Sequence, residues 1–138
     1  MNKRSDWAGE AAPTLAEFET MADAAFAALP EWVRGPCEGV VIRVEDFPDD
    51  DTLDALGCDS EFDILGLFRG QGLAQAEAGA ATGRFPNMVW LYRRPILDQW
   101  AAGEDTLGAL IRHVLIHEIG HHFGMSDEDM ERIEAAGG

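Results

Sequence analysis

The chain has 138 residues, 46% of them apolar and including 7 Phe and 4 Trp, enough for one ordinary domain around a single core. Lys and Arg total 10 against 26 Asp and Glu, giving a formal charge of −16. Such a field repels polyphosphate, which argues against nucleic acid and anionic membrane surfaces as partners.

No apolar run is long enough to span a bilayer, and no apolar stretch follows the basic start at Lys3 and Arg4, so neither a membrane span nor a secretory signal is expected. The only cysteines, Cys37 and Cys58, form no C-x-x-C pair, and a reduced, cytoplasmic protein is expected.

Residues 1–13 are polar and end at Pro13, and they read as a flexible tail before a single domain at 14–138. From Thr14 the period becomes helical, with Leu15, Phe18, Ala22, Ala25, Phe26 and Leu29 on one stripe. Thr14 and Glu17 form a T-x-x-E capping box, and Pro30 closes the segment, with a further turn at 31–34. The β-branched run 40–44 predicts a strand. Residues 51–56 predict a helical turn closed by Gly57. The acids Asp49, Asp50, Asp51 and Asp54 lack the order of a calcium loop and read as a solvated turn. A second strand is predicted over 64–68, then a Gly- and Ala-rich loop over 70–86, which suits either a flap near a site or plain slack.

Met88 to Tyr92 predicts a third strand, and 96–102 a short helix stopped by Gly103. Asp105 or Thr106 caps the next helix, which runs to about Phe123. Leu107, Leu110, Ile111, Val114 and Leu115 form one apolar stripe, while Ile116 and Ile119 fall on the other side, so the second half should be buried. Beyond Gly124, Ser126 and Asp129 make an S-x-x-D start for a last helix carrying Met130 and Ile133.

That long helix carries His117-Glu118-Ile119-Gly120-His121, an H-E-x-x-H sequence. On a helix the two histidines differ by about 40° in azimuth and about 6 Å along the axis, so both imidazoles can converge on one ion. Glu118 lies about 100° from His117, too far round for a ligand but within reach of a water on that ion. All 4 histidines of the chain fall between 113 and 122. Imidazoles and a carboxylate left unpaired in so apolar a helix would cost several kcal/mol, which favours a metal over chance occurrence.

The stretch HEIGHHFGMSD fits H-E-x-x-H-x-x-G-x-x-D and resembles the Asp-type zincins. With the LYRRP run before the helix, the N-terminal helix ending in Ala-Leu-Pro, the strand into EDFP and the LGLFRG segment, the chain resembles a family of small bacterial zincin-like metallopeptidases from about residue 14 to 135. The resemblance implies an α+β minimal zincin fold, a small mixed sheet packed on an N-terminal and an active-site helix. It also implies one Zn2+ per chain held by His117, His121 and Asp127, with Glu118 as general base. The alternative for Asp127 is an acid stabilised by the dipole of the last helix, with Glu128, Glu131 and Glu134 as substitute ligands.

Three protein ligands leave a fourth zinc position for water, the mark of a catalytic site. The function so expected is hydrolysis of a peptide or protein substrate through a zinc-bound water activated by Glu118. The alternative is a zinc-binding regulatory or interaction module that keeps the fold without proteolysis. His122 points off the metal face, toward a core or supporting role, and His113 suits a hydrogen-bonded core position or a metal-site role. Tyr92 is a candidate oxyanion donor. If the strand at 88–92 is a sheet edge, a peptide could add to it as a further strand.

Overall fold

The periodic segments become six helices and three strands among the described residues of the computed structural model, which are 9–70 and 87–136. Most of the expected 70–86 loop, and the tail up to residue 8, lie outside them. Helix α1 spans Leu15–Ala27, α2 Glu31–Arg34, β1 Val41–Glu45, α3 Asp50–Leu56, β2 Gly66–Arg69, β3 Met88–Tyr92, α4 Arg93–Ala102, α5 Leu107–His122 and α6 Asp127–Ala136. This is an α+β architecture with one small mixed sheet.

Local chemistry accounts for most of the boundaries. Thr14 accepts from the Glu17 amide at 3.1 Å while Glu17 accepts from the Thr14 amide at 2.9 Å, closing the capping box of α1. Asp49, one of the acids in the Phe47–Asp51 turn, caps α3 by accepting from the Thr52 amide at 2.8 Å. The Thr52 side chain first, and then that amide bond, hold its carboxyl below the ordinary range, so this acid has a structural task. Helix α4 starts three residues earlier than expected, because Pro95 is tolerated in a first turn, where its missing amide has no helical partner. The end of the N-terminal tail is tied down as well, since Arg93 donates to the Pro13 carbonyl at 2.6 Å and to Asp46 at 3.0 Å.

The sheet order is β1-β3-β2, with β1 parallel and β2 antiparallel to β3. β3 is thus the central strand. An added peptide strand at 88–92 is ruled out by this order, and the edge that lies along α5 is β2.

Strand alternation turns Ile42, Val44, Val89 and Leu91 toward one face, where α1 packs on β1 and α5 on β2 and β3. The resulting core joins Phe18, Ala22, Leu29 and Val33 from the N-terminal segment to Ile111, Leu115, Ile116 and Ile119 of α5 and to Met130 and Ile133 of α6. Ile116 and Ile119 are both 1% exposed, as the apolar second half of the helix requires. Burying each such side chain contributes roughly 1.5–3 kcal/mol. The most deeply packed helix of the molecule is therefore the one that carries the histidines.

Candidate metal centre on helix α5

Thr106 opens α5 by accepting from the Ala109 amide at 3.1 Å. From there the apolar stripe faces the core, and His113, His117 and His121 follow one another at four-residue intervals on the remaining face. Adjacent rings are 4.1 Å and 5.9 Å apart between centroids. His117 is half-buried, while His113 and His121 are exposed. Among the described residues no buried side-chain nitrogen or oxygen lacks a partner. The desolvation argument for a metal is weakened by this: the histidine face opens to water although the helix is buried elsewhere.

Glu118 points to the sheet. One of its carboxylate oxygens accepts from the Phe68 amide at 3.1 Å, across 50 residues of sequence. The Tyr92 amide donates to the Leu65 carbonyl. Alternation from that bond turns the backbone groups of Leu67 and Arg69 toward β3 and those of Gly66 and Phe68 toward the outer edge, which no other strand among the described residues pairs and where Glu118 waits. Gly66 permits this approach, since a Cβ there would stand 2.8 Å from a Val114 methyl, 2.9 Å from the Trp90 carbonyl and 3.4 Å from Glu118 Cγ. His122 adds a second tie by stacking on the Phe68 ring at 3.8 Å, which gives this histidine a packing role. Burial raises the Glu118 carboxyl above the usual carboxylate range, opposed by the Phe68 amide and by His121.

The chain leaves α5 by a Schellman turn. The Met125 amide donates to the Gly120 carbonyl at 2.8 Å and the Gly124 amide to the His121 carbonyl, with Gly124 at φ +70°. This reversal starts α6 at Asp127, which is exposed. The side chain of Asp127 and that of Glu134, two turns further on, both act on His117 electrostatically, favouring its charged form, while burial, first, and His113 lower its pKa.

Among the described residues, the one group of three potential ligands with donor atoms within 4.8 Å of each other is His113, His117 and Glu134. His121 and Asp127 stand outside that group. His113 is exposed and bonded to Glu134 through Nδ1, in place of the core position considered for it. Nothing in the spacing of the sequence singled out Glu134 from the neighbouring acids; its closeness to His113 depends on how α6 folds back on α5.

Tyr92 is turned to the other face of the sheet, within electrostatic reach of Glu118. With Trp90 it lies on the sheet face opposite Val89 and Leu91, lining a cavity of about 100 Å³ with Glu45, Asp49, Thr52, Leu67 and Arg69. Burial, then Glu45 and Asp49, push its hydroxyl up to about 12.

The donor set suits zinc: a His117 kept neutral by burial, a second imidazole one turn along, and carboxylates within electrostatic reach. The family of zincin-like metallopeptidases matches residues 37–136. The chain belongs to this family. The match spans β1 through α6, so it takes in the sheet and the helix with its histidines, and leaves out only α1 and α2 among the helices. Comparison with curated proteins finds no match. As a zincin-like protein the chain is of a metallopeptidase type, a hydrolase class associated with zinc. No helix among the described residues is long and apolar enough to cross a membrane.

Proposed function

We propose that this protein hydrolyses peptide bonds with Glu118 as general base, and that His117, His121 and Asp127 hold one zinc ion. The observation that carries this reading is the position of Glu118: it shares a helical turn with His117 and His121, yet its carboxylate meets the outer edge of β2. A base placed there stands between the donor residues and the backbone groups to which an extended peptide adds.

Bound zinc supplies Lewis acidity, polarising a carbonyl and lowering the pKa of water toward about 7. Glu118 takes the proton from the attacking water and returns it to the leaving amine. Its raised pKa brings it closer to neutral pH, where a group can both accept and release a proton. The Phe68 amide fixes one carboxylate oxygen and so orients the other. With the Phe68 amide held by Glu118, the outward backbone groups left to align a peptide along β2 are the Gly66 amide and the Gly66 and Phe68 carbonyls. The charge of −16 suits a substrate with basic residues near the cut bond and disfavours nucleic acid and anionic membranes.

The test is cleavage of a peptide library with metal analysis alongside. Glu118→Gln should keep about one zinc per chain and lose hydrolysis by about 10²–10⁴-fold. Full activity in that variant would refute the mechanism. A wild-type protein that holds zinc and cuts nothing in the library would favour a zinc-binding module instead. Asp127→Ala should lower the zinc retained after dialysis, and unchanged zinc would remove Asp127 from the ligand set.

A further inference from the structure

His117 has company on both sides. Toward the C-terminal end of α5 lies His121, the partner in H-E-x-x-H. Toward the N-terminal end lies His113, whose ring is the nearer of the two, 4.1 Å against 5.9 Å between centroids. Glu134 completes the second group from α6, and it is held there by the chain around it. Arg112 donates to the carbonyl of Glu134 at 2.9 Å and also to that of Ile133, while Ile133 itself is 1% exposed in the core. The backbone that carries Glu134 is thus clamped to the helix that carries the two histidines.

We infer that His113, His117 and Glu134 form a second ligand set for a divalent transition-metal ion, one that shares His117 with the H-E-x-x-H pair and holds the ion away from Glu118. Two imidazoles and a carboxylate are the donor types that zinc and cobalt accept. Ligand atoms round a tetrahedral ion at about 2.1 Å lie roughly 3.4 Å apart. The three donor atoms already lie within 4.8 Å of one another, so side-chain adjustment closes the site without moving the backbone. A surface cavity of about 540 Å³ opens on His113 and Glu134, with Gln99, Asp105 and Arg112 on its walls, and gives an ion a path from solvent.

The consequence follows from sharing. An ion held by His113, His117 and Glu134 takes His117 out of the pair with His121 and lies one turn back along α5, on the side away from the Gly124 turn. Glu118 remains bonded to Phe68 at the sheet edge and has no activated water to receive a proton from. The second set is therefore a parking position, filled in competition with the first. This inference needs only that the chain binds metal, and it stands or falls separately from peptide hydrolysis.

The test uses Co2+ alone as probe and reads bound equivalents and visible absorption in the full-length chain. His121→Asn dismantles the H-E-x-x-H pair at an exposed position and should still bind about one Co2+. Adding Glu134→Gln or His113→Asn to that variant should abolish the remaining equivalent. Loss of all cobalt binding in His121→Asn would overturn the inference while leaving the peptidase reading intact, and so would binding that neither added substitution weakens. Anomalous scattering from crystals of the unmodified protein in excess Co2+ gives a check that needs no variant. A peak at His113 and Glu134 is expected, and a peak confined to the His121 side overturns the inference.

Discussion

The two edges of the sheet do different work. β1 lies under α1, and its residues alternate between an inward apolar face at Ile42 and Val44 and an outward face at Val41, Arg43 and Glu45 that water covers. β2 is only four residues long, has a glycine where a side chain would collide with α5, and offers its outer amide to Glu118. One edge packs against its helix, and the other is also hydrogen-bonded to a carboxylate of its helix. What separates them is the helix alongside: α1 brings an apolar stripe, whereas α5 brings a stripe and a set of polar groups on its rim.

The largest way to test this contrast is to weaken the support that both edges share. Ile111→Ala opens a cavity in α5 beneath the sheet and should cost about 2–5 kcal/mol in denaturant unfolding, while the surviving folded fraction binds added Zn2+ as the unaltered protein does. A loss below about 1 kcal/mol would mean that α5 is not the common support.

Gly66→Ala should act on one edge alone. The new methyl meets the Trp90 carbonyl and a β-branched side chain, neither of which yields easily. A cost of about 1–3 kcal/mol is expected, together with loss of activity as β2 moves from Glu118. Val41→Ala, on the exposed side of β1, is the control and should change stability by less than about 0.5 kcal/mol.

The smallest effect sharpens the electrostatics at the β2 edge. Glu118 has a folded pKa raised above its unfolded value, so its carboxyl binds a proton more tightly in the fold. Ionising it therefore opposes folding, by an amount that is nil below the unfolded pKa, grows as pH rises through the folded one, and is complete above it. Gln at this position has no charge and keeps an oxygen for the Phe68 amide. In metal-free protein, Glu118→Gln should raise Tm at pH 7, and the gain should vanish below about pH 4. An equal gain at both pH values would assign it to packing.

Much of this was legible in the residues. Thr14 with Glu17, Thr106 before a helical stripe, and the His117–His121 spacing are local signals, each contained within one segment, and local chemistry decides them. The contacts that complete the site are long-range. Phe68 and Glu118 are 50 residues apart, and His113 and Glu134 are 21 apart. No periodicity relates them, because each depends on which strand is the edge and on how the turn at Gly124 folds α6 back. The central place of β3 was hidden for the same reason, since a five-residue apolar strand reads alike at an edge or between neighbours. The openness of the histidine face was hidden too, because an apolar helix predicts burial without saying which azimuth is left uncovered.

The parallel pairing of β1 with β3 bears on how the chain comes to fold. Val41 meets Met88 and Glu45 meets Tyr92, so each rung of this ladder closes a loop of 47 residues, and α1, besides lying on β1, packs on α5 some ninety residues later. Contacts of such span form slowly, since the entropy of loop closure precedes any gain from packing. A nascent chain that has emerged only as far as β3 has strands to pair and α1 to lay on β1, but nothing yet to cover the apolar face of β2 and β3. The segment that bears the histidines is also the one whose arrival covers β2 and β3, so burial of the sheet and placement of the candidate ligands on α5 share a late step.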